Sequence, residues 1–238
     1  RREPAPQRDL AAVGPCLVFV DRHGLGEKVR ERLAQAGKTC IAVEAGEGFV
    51  QLDAHRYRVD PRSPADYRRL LAAIGGSAGA IEQILHFWTY AASPEAIGSV
   101  EQLRQAQFPG FFSLVFLAQA LAGIKGDDAR ATELHVFGSL TQITSAADRG
   151  ACTHATIIGL LKTIPLEMPW FKCRHTDLPI GAADDNAACV LRELCIVKSE
   201  DEVAYRGGRR LVWGLSRVDL RVCPPVEKEA WFGRSKKS

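Results

Sequence analysis

The sequence predicts an α/β domain in which a parallel sheet is flanked by helices and followed by a C-terminal β-hairpin. Two observations predict this class. Short apolar runs alternate with amphipathic segments from Cys16 to about Leu194, and repeated β-α units form parallel sheets because parallel neighbours need a crossover connection. Near the C-terminus, the strand-like runs Glu202 to Arg206 and Arg209 to Trp213 are separated only by Gly207-Gly208, which is typical of a two-residue hairpin turn.

Four short segments in the first half of the chain are predicted to be strands, and the first is an apolar run bounded by turn residues and a charge, as buried parallel strands are. These predicted strands are Cys16 to Val20, Cys40 to Val43, Tyr57 to Asp60 (after a weak stretch at Gly48 to Asp53) and Gln83 to Trp88. A helix is predicted over Glu27 to Ala36, because Val29 and Leu33 share one helical face and Gly37 follows as a C-cap. Ser63-Pro64-Ala65-Asp66 predicts another helix start, with Ser63 as the N-cap.

The second half continues the alternation. The predicted helices are Gly110 to Leu121, Ala155 to Glu167 and Asp185 to Leu194, the last capped by Asp184 or Asp185, and the predicted strands are Glu133 to Phe137 and Phe171 to Thr176. We expect the domain to cover residues 14–222. Residues 1–13, rich in Arg, Pro and Ala, and residues 223–238 have the composition of linkers, which predicts a fragment of a larger polypeptide.

Composition excludes several function classes. The 238 residues, 46% hydrophobic and 25% charged, suit one globular domain, and a net charge of +3 is too small to predict a nucleic-acid partner. No signal peptide and no apolar stretch long enough for a membrane span is present. The seven cysteines include no CxxC pair, which favours free thiols over a disulfide framework or a zinc site. We therefore expect a cytoplasmic protein with neither nucleic-acid nor membrane partners.

The segment His23-Gly24-Leu25-Gly26-Glu27-Lys28-Val29 follows the first strand and opens a helix, where a dinucleotide fold holds its pyrophosphate. Two glycines of a GxGxxG pattern are present, but Val29 occupies the third position, and the Glu27 carboxylate would repel a phosphate. The favoured interpretation is a structural turn retained from a Rossmann-like ancestor. The alternative is a working phosphate site at Gly24 and Gly26.

A reductase of the short-chain type needs a tyrosine acid assisted by a lysine or its equivalent. The tyrosines are Tyr57, Tyr67, Tyr90 and Tyr205. None has Lys or Asn four residues later, and Tyr205, which precedes Arg209 at that spacing, lies in the predicted hairpin rather than on a helix. The sequence therefore predicts no reductase active site in this chain.

The remaining polar candidates are best explained by structure. His86 and His135 lie within apolar strands and are predicted to be core histidines. His175 and Asp177, at the end of a predicted strand, could form an acid–base pair, but no nucleophile or metal ligand accompanies them. A run of phenylalanines at helix-like spacing is predicted to lie in the core or at a domain interface rather than in a ligand pocket. Its members are Phe108, Phe111, Phe112 and Phe116.

The second half of the chain resembles a known family. Ala155 to Pro169 contains Gly159-Leu160, the basic Lys162 and Leu166-Glu167-Met168-Pro169, and resembles a helix of the structural subdomain of polyketide synthase ketoreductases. In that family a strand ending in Asp-Leu follows, as Asp177-Leu178 does here. The run Glu202 to Val212 resembles the closing "Glu-Val-Ala-x-Arg-x-Gly-x-Arg" hairpin of the family, which is the most specific part of the match.

The resemblance covers roughly Cys16 to Val218 and implies a truncated Rossmann-like fold without an active site. In the family, NADPH and the catalytic side chains belong to a catalytic subdomain that follows in the chain. The resemblance therefore implies no catalytic, cofactor-binding or metal-ligating residue here, and it implies neighbours within a synthase, namely a catalytic ketoreductase subdomain or methyltransferase and a carrier protein. The parent is either a split ketoreductase or a pseudo-ketoreductase.

The function predicted from the sequence is non-catalytic: the chain would stabilise and position a neighbouring catalytic domain in polyketide biosynthesis. Two alternatives from other classes stay open. The first is a self-contained NADPH-dependent beta-ketoacyl reductase that uses the Gly24/Gly26 turn. The second is a free-standing interaction module.

Overall fold

A computed structural model describes residues 8–75, 81–92, 97–124, 131–145, 150, 152–181, 183–197 and 200–214. The strands in these ranges are β1 (Cys16–Val20), β2 (Cys40–Ala45), β3 (Val50–Asp53), β4 (Arg56–Val59), β5 (Gln83–Thr89), β6 (Thr132–Gly138), β7 (Phe171–Asp177), β8 (Glu202–Arg206) and β9 (Arg209–Val212). The helices are α1 (Leu25–Gln35), α2 (Pro64–Ile74), α3 (Val100–Gln107), α4 (Ser113–Ala122), α5 (Cys152–Glu167) and α6 (Ala183–Cys195).

The nine strands form one sheet in the order β3-β4-β2-β1-β5-β6-β7-β8-β9. All pairs from β4 to β8 are parallel, and the two outermost pairs, β3 with β4 and β8 with β9, are antiparallel. The predicted Rossmann-like parallel sheet flanked by helices, with a C-terminal hairpin, is confirmed. The strand order reverses between β1 and β5, so the carboxyl ends of these two strands border a crevice.

Each face of the sheet carries its own apolar layer. On one face, side chains of the sheet pack against α2, α4 and α5, with Leu70, Leu117 and Ile157 fully buried or nearly so. On the other face, the sheet packs against α1 and α6, as Val29 and Val190 show. The central strand β5 is buried along its whole length, which explains why its sequence is a continuous apolar run rather than an alternating one.

The closing hairpin has the geometry that its sequence predicts. Gly207 and Gly208 have φ values of 54° and 72°, and a type I′ turn requires positive φ at both central residues. This backbone twist matches that of the flanking strands, so the glycine pair fixes the register in which Arg206 lies opposite Arg209.

Two elements were missed by the sequence analysis. The edge strand β3 is exposed at every position, so it has no apolar run to reveal it, although the weak stretch at Gly48 to Asp53 contains it. Helix α3 buries only Gln107 and therefore lacks an apolar stripe. Its start was nevertheless legible, because the Ser99 hydroxyl accepts a hydrogen bond from the backbone N–H of Gln102 at 3.1 Å.

Three predicted helix details were wrong. Helix α1 begins at Leu25 rather than Glu27. Asp184 and Asp185 lie inside the first turn of α6 rather than at its cap, and Asp184 instead forms ion pairs with Lys28 and Arg32 of α1. The predicted helix from Gly110 to Leu121 begins as a π-helical turn, Phe108–Phe112, that joins α3 to α4.

Ser63 stands at the predicted N-cap of α2, but its hydroxyl does not cap the helix. It donates to the carboxylate of Asp66 at 2.9 Å. The other oxygen of Asp66, a buried residue, accepts from the backbone N–H of Asp60 at 3.0 Å. Asp66 therefore joins the end of β4 to the start of α2.

Residues 1–7 and 223–238 of the predicted linkers lie outside the described residues, and so do residues 215–222 of the predicted domain. Residues 8–13 lie against the domain. The backbone N–H of Arg8 donates to the carbonyl of Cys195 at 2.7 Å, Leu10–Ala12 form a 3-10 turn and Val13 is buried. The boundaries at residues 14 and 222 stay predictions.

Among the helices described, none combines the length and the apolar character that crossing a bilayer requires. Within the same ranges, no three His, Cys, Asp or Glu side chains converge as metal ligands would. The cellular location stays a prediction.

Three histidines lie inside the central strands, as predicted for His86 and His135. His86 and His175 share a face of the sheet with α4 and α5, whereas His135 faces α6. Burial lowers the pKa of His86 to about 3 and that of His175 to about 4, and it holds the pKa of His135 well below the usual value. All three are therefore neutral in the folded protein near pH 7.

These histidines predict acid-sensitive stability. Their folded pKa values are lowered, so below pH 6.5 the unfolded chain binds protons that the folded chain does not. Stability is then fully present above pH 6.5 and is lost as the pH falls toward 4. Each buried histidine adds a slope of about 1 kcal/mol per pH unit. Urea unfolding of His86→Gln between pH 6.5 and 5 should show a shallower slope than wild type, whereas His55→Gln, at an exposed histidine, should retain it. Equal slopes in His86→Gln and wild type would contradict this account.

Candidate functional site at the carboxyl edge of the sheet

The crevice between the carboxyl ends of β1, β2 and β5 is a cavity of about 820 Å³. In Rossmann-like sheets this switch point is where dinucleotides bind. The cavity walls combine aromatic and charged side chains. They include Asp21, His23, Glu27, Glu44, Arg56, Trp88, Tyr90 and Phe108.

The two glycines of the predicted turn allow a left-handed backbone conformation and a close approach of α1 to the sheet. Gly24 has φ 83° and precedes the first residue of α1, a left-handed conformation that glycine adopts without strain. At Gly26, an added Cβ would lie 3.0 Å from the Phe87 ring and 3.0 Å from the Cα of Val20. Gly26 thus lets α1 approach the sheet closely, as the structural interpretation of this turn requires.

Asp21, the residue directly after β1, fills the position that a phosphate would take. Its carboxylate accepts hydrogen bonds from the backbone N–H groups of Gly26 at 2.6 Å, Leu25 at 3.3 Å and His23 at 2.8 Å. Leu25 and Gly26 open α1, so their N–H groups lack intrahelical acceptors and carry the positive end of the helix dipole. The protein supplies its own anion to this site.

The sequence analysis missed Asp21. The available signal was an acidic residue between a buried strand and a glycine turn, which is a plausible helix cap. The capping partners could not be identified, because they depend on the left-handed backbone at Gly24 that folds the turn back over the carboxylate.

Two further carboxylates beside the cavity are neutralised by arginines. Glu27 accepts from Arg30 and from Arg56, the latter at 2.8 Å, and the hydrogen bond from Arg30 is the main cause that lowers the pKa of Glu27. Glu44, at the end of β2, forms ion pairs with Arg56 at 2.8 Å and Arg58 at 3.5 Å. Glu27 therefore stays ionised at the start of α1, but two guanidinium groups offset its charge, so it repels an anion less than the sequence analysis expected.

All four tyrosines are buried, and their environments are structural. Burial raises the pKa of Tyr67 and of Tyr205. Tyr90 lies at the cavity, where its hydroxyl accepts from Asn186 Nδ2 at 2.8 Å and lies 3.3 Å from the carbonyl oxygens of Pro179 and Gly181. Tyr90 thereby joins β5 to the start of α6.

His175 and Asp177 lie together, but they hold a loop rather than form an acid–base pair. The fully buried Asp177 carboxylate accepts from the backbone N–H groups of Thr141 at 3.3 Å and Gln142 at 3.1 Å, and it pairs with Arg206 at 2.6 Å. His175 Nε2 lies 3.2 Å from the Thr141 hydroxyl. These bonds fix the loop after β6, in which Leu140 has φ 57°, a conformation that costs a non-glycine residue about 1–2 kcal/mol.

The closing hairpin is anchored on a second buried carboxylate, Glu193 of α6. Glu193 is fully buried and accepts from Arg210 Nε at 2.7 Å, Tyr205 Oη at 2.7 Å and Arg174 at 3.4 Å. Arg174 also reaches Glu133 of β6 at 2.8 Å. The hairpin residues that carried the family resemblance therefore attach β8 and β9 to the rest of the domain.

The phenylalanine run forms a series of ring contacts along the π-helical turn and α4. Ring centroids of Phe108 and Phe112 lie 5.1 Å apart in a tilted pair, and those of Phe112 and Phe116 lie 6.1 Å apart in a stacked pair. Phe116 makes a further tilted contact with the buried Tyr67. Phe108 at the other end borders the cavity, so the run joins the core to the cavity wall.

Comparison with known proteins decides the family. A family model described as "Beta-ketoacyl synthase-like, N-terminal" matches residues 14–195, which is well over half of the chain. The chain belongs to this family. This match confirms the resemblance to ketoreductase structural subdomains, and it ends before the hairpin motif at residues 202–212. A search of curated proteins found no match.

Solved structures share the fold at low sequence identity. A multidomain structure with adenylation, ketoreductase and pseudo-Asub domains, from a keto acid-selecting NRPS module, has TM-score 0.76 and 24% identity over 87% of this chain. An N-terminal ketoreductase from the macrolactin assembly line has TM-score 0.65 and 16% identity over 85%. This chain spans only 17% and 40% of those two chains. A short-chain dehydrogenase from Burkholderia cenocepacia in complex with NADP has TM-score 0.62 and 12% identity, covering 84% of this chain and 90% of that one.

The residues of the crevice do not fit a dinucleotide. The helix N–H groups that would bind a pyrophosphate are bonded to Asp21, and the Glu27 carboxylate lies beside them at the start of α1. A bound pyrophosphate would have to displace a carboxylate that is covalently attached to the site.

Asp21→Ala should lower the free energy of unfolding by about 1–2 kcal/mol, because it leaves the first N–H groups of α1 without an acceptor. Asp53 provides a matched control, since its carboxylate accepts from the N–H of His55 at 2.7 Å in an exposed turn. Asp53→Ala should cost less than about 0.5 kcal/mol. Urea unfolding measures both, and equal losses in the two variants would contradict the capping role of Asp21.

Arg210→Ala should destabilise the domain by about 2–4 kcal/mol, because it removes a cation from the buried Glu193 carboxylate. Arg209 is the adjacent and exposed residue of the same strand, and Arg209→Ala should change stability by less than about 0.5 kcal/mol. Thermal and urea unfolding test the pair. Indistinguishable variants would show that the hairpin is held by its apolar contacts alone.

Proposed function

We propose that this chain is the non-catalytic structural subdomain of a ketoreductase region in a synthase of the polyketide type, and that it stabilises and positions a neighbouring catalytic domain. The observation that carries the proposal is Asp21, whose carboxylate takes the N–H groups that open α1. We infer that a Rossmann-like domain whose phosphate position is filled by its own side chain retains the fold without binding the cofactor.

The tyrosines support the same conclusion. A tyrosine acid must be accessible to its substrate and must have its proton acidified. Tyr67 and Tyr205 have raised pKa values. The hydroxyl of Tyr205 donates to Glu193, and that of Tyr90 is surrounded by Asn186 and the carbonyl oxygens of the β7–α6 connection. These environments suit packing rather than proton transfer, so the role that we propose for this chain is not that of an enzyme.

The partners proposed for this chain are adjacent domains of the same synthase: a catalytic ketoreductase subdomain or a methyltransferase, and a carrier protein. Support comes from two structures that share its fold, one a multidomain structure of an NRPS module and the other a ketoreductase from the macrolactin assembly line. The end of the closing hairpin and the loop after β6 provide apolar surface for such packing. Trp213 is 67% exposed and borders a groove with Ile143, which is 71% exposed, and Leu211. NADPH would belong to the catalytic neighbour.

NADPH titration of the chain tests the proposal against a self-contained reductase. We expect no saturable change in cofactor fluorescence and no shift in Tm at millimolar NADPH. A site filled a hundredfold above its Kd would stabilise the fold by about 2.7 kcal/mol and raise the Tm measurably. A NADP-dependent short-chain dehydrogenase in the same assay is the positive control.

A parallel assay follows NADPH oxidation with a β-ketoacyl thioester. Saturable binding together with turnover would overturn the structural role and support the reductase that uses the Gly24/Gly26 turn. Binding that disappears in Gly26→Val, where the added side chain would meet Val20 and Phe87, without loss of the fold by circular dichroism, would locate that site at the turn.

A further inference from the structure

Cys16 and Cys40 stand at the first positions of β1 and β2, and they are register partners in this parallel pair. Both side chains belong to the apolar layer between the sheet and helices α1 and α6, so they point to the same face. The backbone N–H of Cys16 donates to the carbonyl of Thr39 at 2.9 Å, which holds the two strand starts together. The proposed structural function does not use either thiol.

The spacing of the two strands suits a disulfide. Neighbouring strands lie about 4.8 Å apart, and the Cα atoms of disulfide-bonded cysteines lie about 4.4–6.8 Å apart. Side chains at paired positions of a parallel ladder stand side by side rather than leaning together, so closing the bond requires a small approach of the two Cβ atoms. Such a bond would be easier to reduce than an unstrained one.

The surroundings differentiate the two thiols. The Cys16 S–H donates to the Gly14 carbonyl at 3.3 Å. The hydrogen bond from Cys16 and the nearby guanidinium of Arg30 lower the pKa of Cys40, whereas the same contact and burial raise that of Cys16. Cys40 is therefore the thiol that favours the nucleophilic thiolate form.

Access also favours Cys40. It is 7% exposed, against 2% for Cys16, and the preceding residue, Thr39, is exposed. A small oxidant therefore has a shorter path to Cys40 than to Cys16.

We propose that Cys16 and Cys40 form a reversible dithiol–disulfide site that is oxidised by peroxides. The Cys40 thiolate attacks one oxygen of hydrogen peroxide, the O–O bond breaks, and a sulfenic acid forms while hydroxide leaves and takes up a proton as water. The Cys16 sulfur then attacks the sulfur of Cys40. The S–S bond forms, the S–O bond breaks, and the hydroxyl group leaves as water with the proton of Cys16. The peroxide is reduced and the two thiols are oxidised.

Peptide mapping of the native chain tests this site. Cleavage after arginine and lysine places Cys16 in peptide 9–22 and Cys40 in peptide 39–56, each with a single cysteine. After treatment with stoichiometric hydrogen peroxide and alkylation of free thiols, we expect these two peptides to appear joined. Their summed mass should be lower by two hydrogen atoms, and dithiothreitol should restore both alkylated peptides. Circular dichroism before and after oxidation verifies that the reaction occurred in the folded chain.

Cys173 gives a matched control. It is also 7% exposed, but its register partner is Leu134, so Cys173→Ser should form the same cross-link as wild type. Cys16→Ser should abolish it and leave Cys40 as a sulfenic or sulfinic acid. The proposal is overturned if folded wild type gives oxidised Cys40 while Cys16 is still alkylated, or if the joined peptides appear only after denaturation. The wild-type measurement decides even if a variant fails to fold.

Discussion

Two buried carboxylates, Asp177 and Glu193, hold the C-terminal third of the sheet to the rest of the domain. A carboxylate removed from water is costly unless cations and hydrogen-bond donors surround it. Here the donors come from elements that are distant in sequence: Arg206 and Arg210 from the hairpin, and Arg174 from β7. Because each carboxylate needs all its partners at once, the hairpin cannot shift by one residue without leaving a buried charge unpaired.

The same principle operates beside the central strand β1, where the Asp21 carboxylate accepts hydrogen bonds from the first N–H groups of α1. In a cofactor-binding Rossmann-like domain, the ligand supplies the anion that the helix dipole favours, so the holo state is more stable than the apo state. Here the anion is a side chain, and the stabilisation is permanent. Such an arrangement suits the structural role that we propose for this chain.

The sequence predicted the sheet well because buried parallel strands are continuous apolar runs, and the hairpin because Gly207-Gly208 permits only a narrow set of turns. It did not predict α3 or β3, whose exposed polar surfaces carry no periodic apolar signal. Buried charge was the larger omission. Glu193 lies among the apolar residues Val190 and Leu194 of α6 and resembles an ordinary helix glutamate until β8 and β9 bring their arginines to it. Such partnerships depend on tertiary contacts, and local sequence patterns do not encode them.

The prediction that the turn at Gly24 and Gly26 binds no dinucleotide stays a prediction. It rested on Glu27 and Val29, and the structure adds Asp21, whose carboxylate accepts hydrogen bonds from the first backbone N–H groups of α1. Val29 in place of a glycine is compatible with the close packing of α1, since its side chain is fully buried against the sheet. Gly26 alone provides the close approach to Val20 and Phe87. The glycine pattern in this turn therefore indicates how closely α1 packs on β1. It does not indicate which anion lies at the N-terminus of α1, because that depends on the acceptor to which the first N–H groups are bonded.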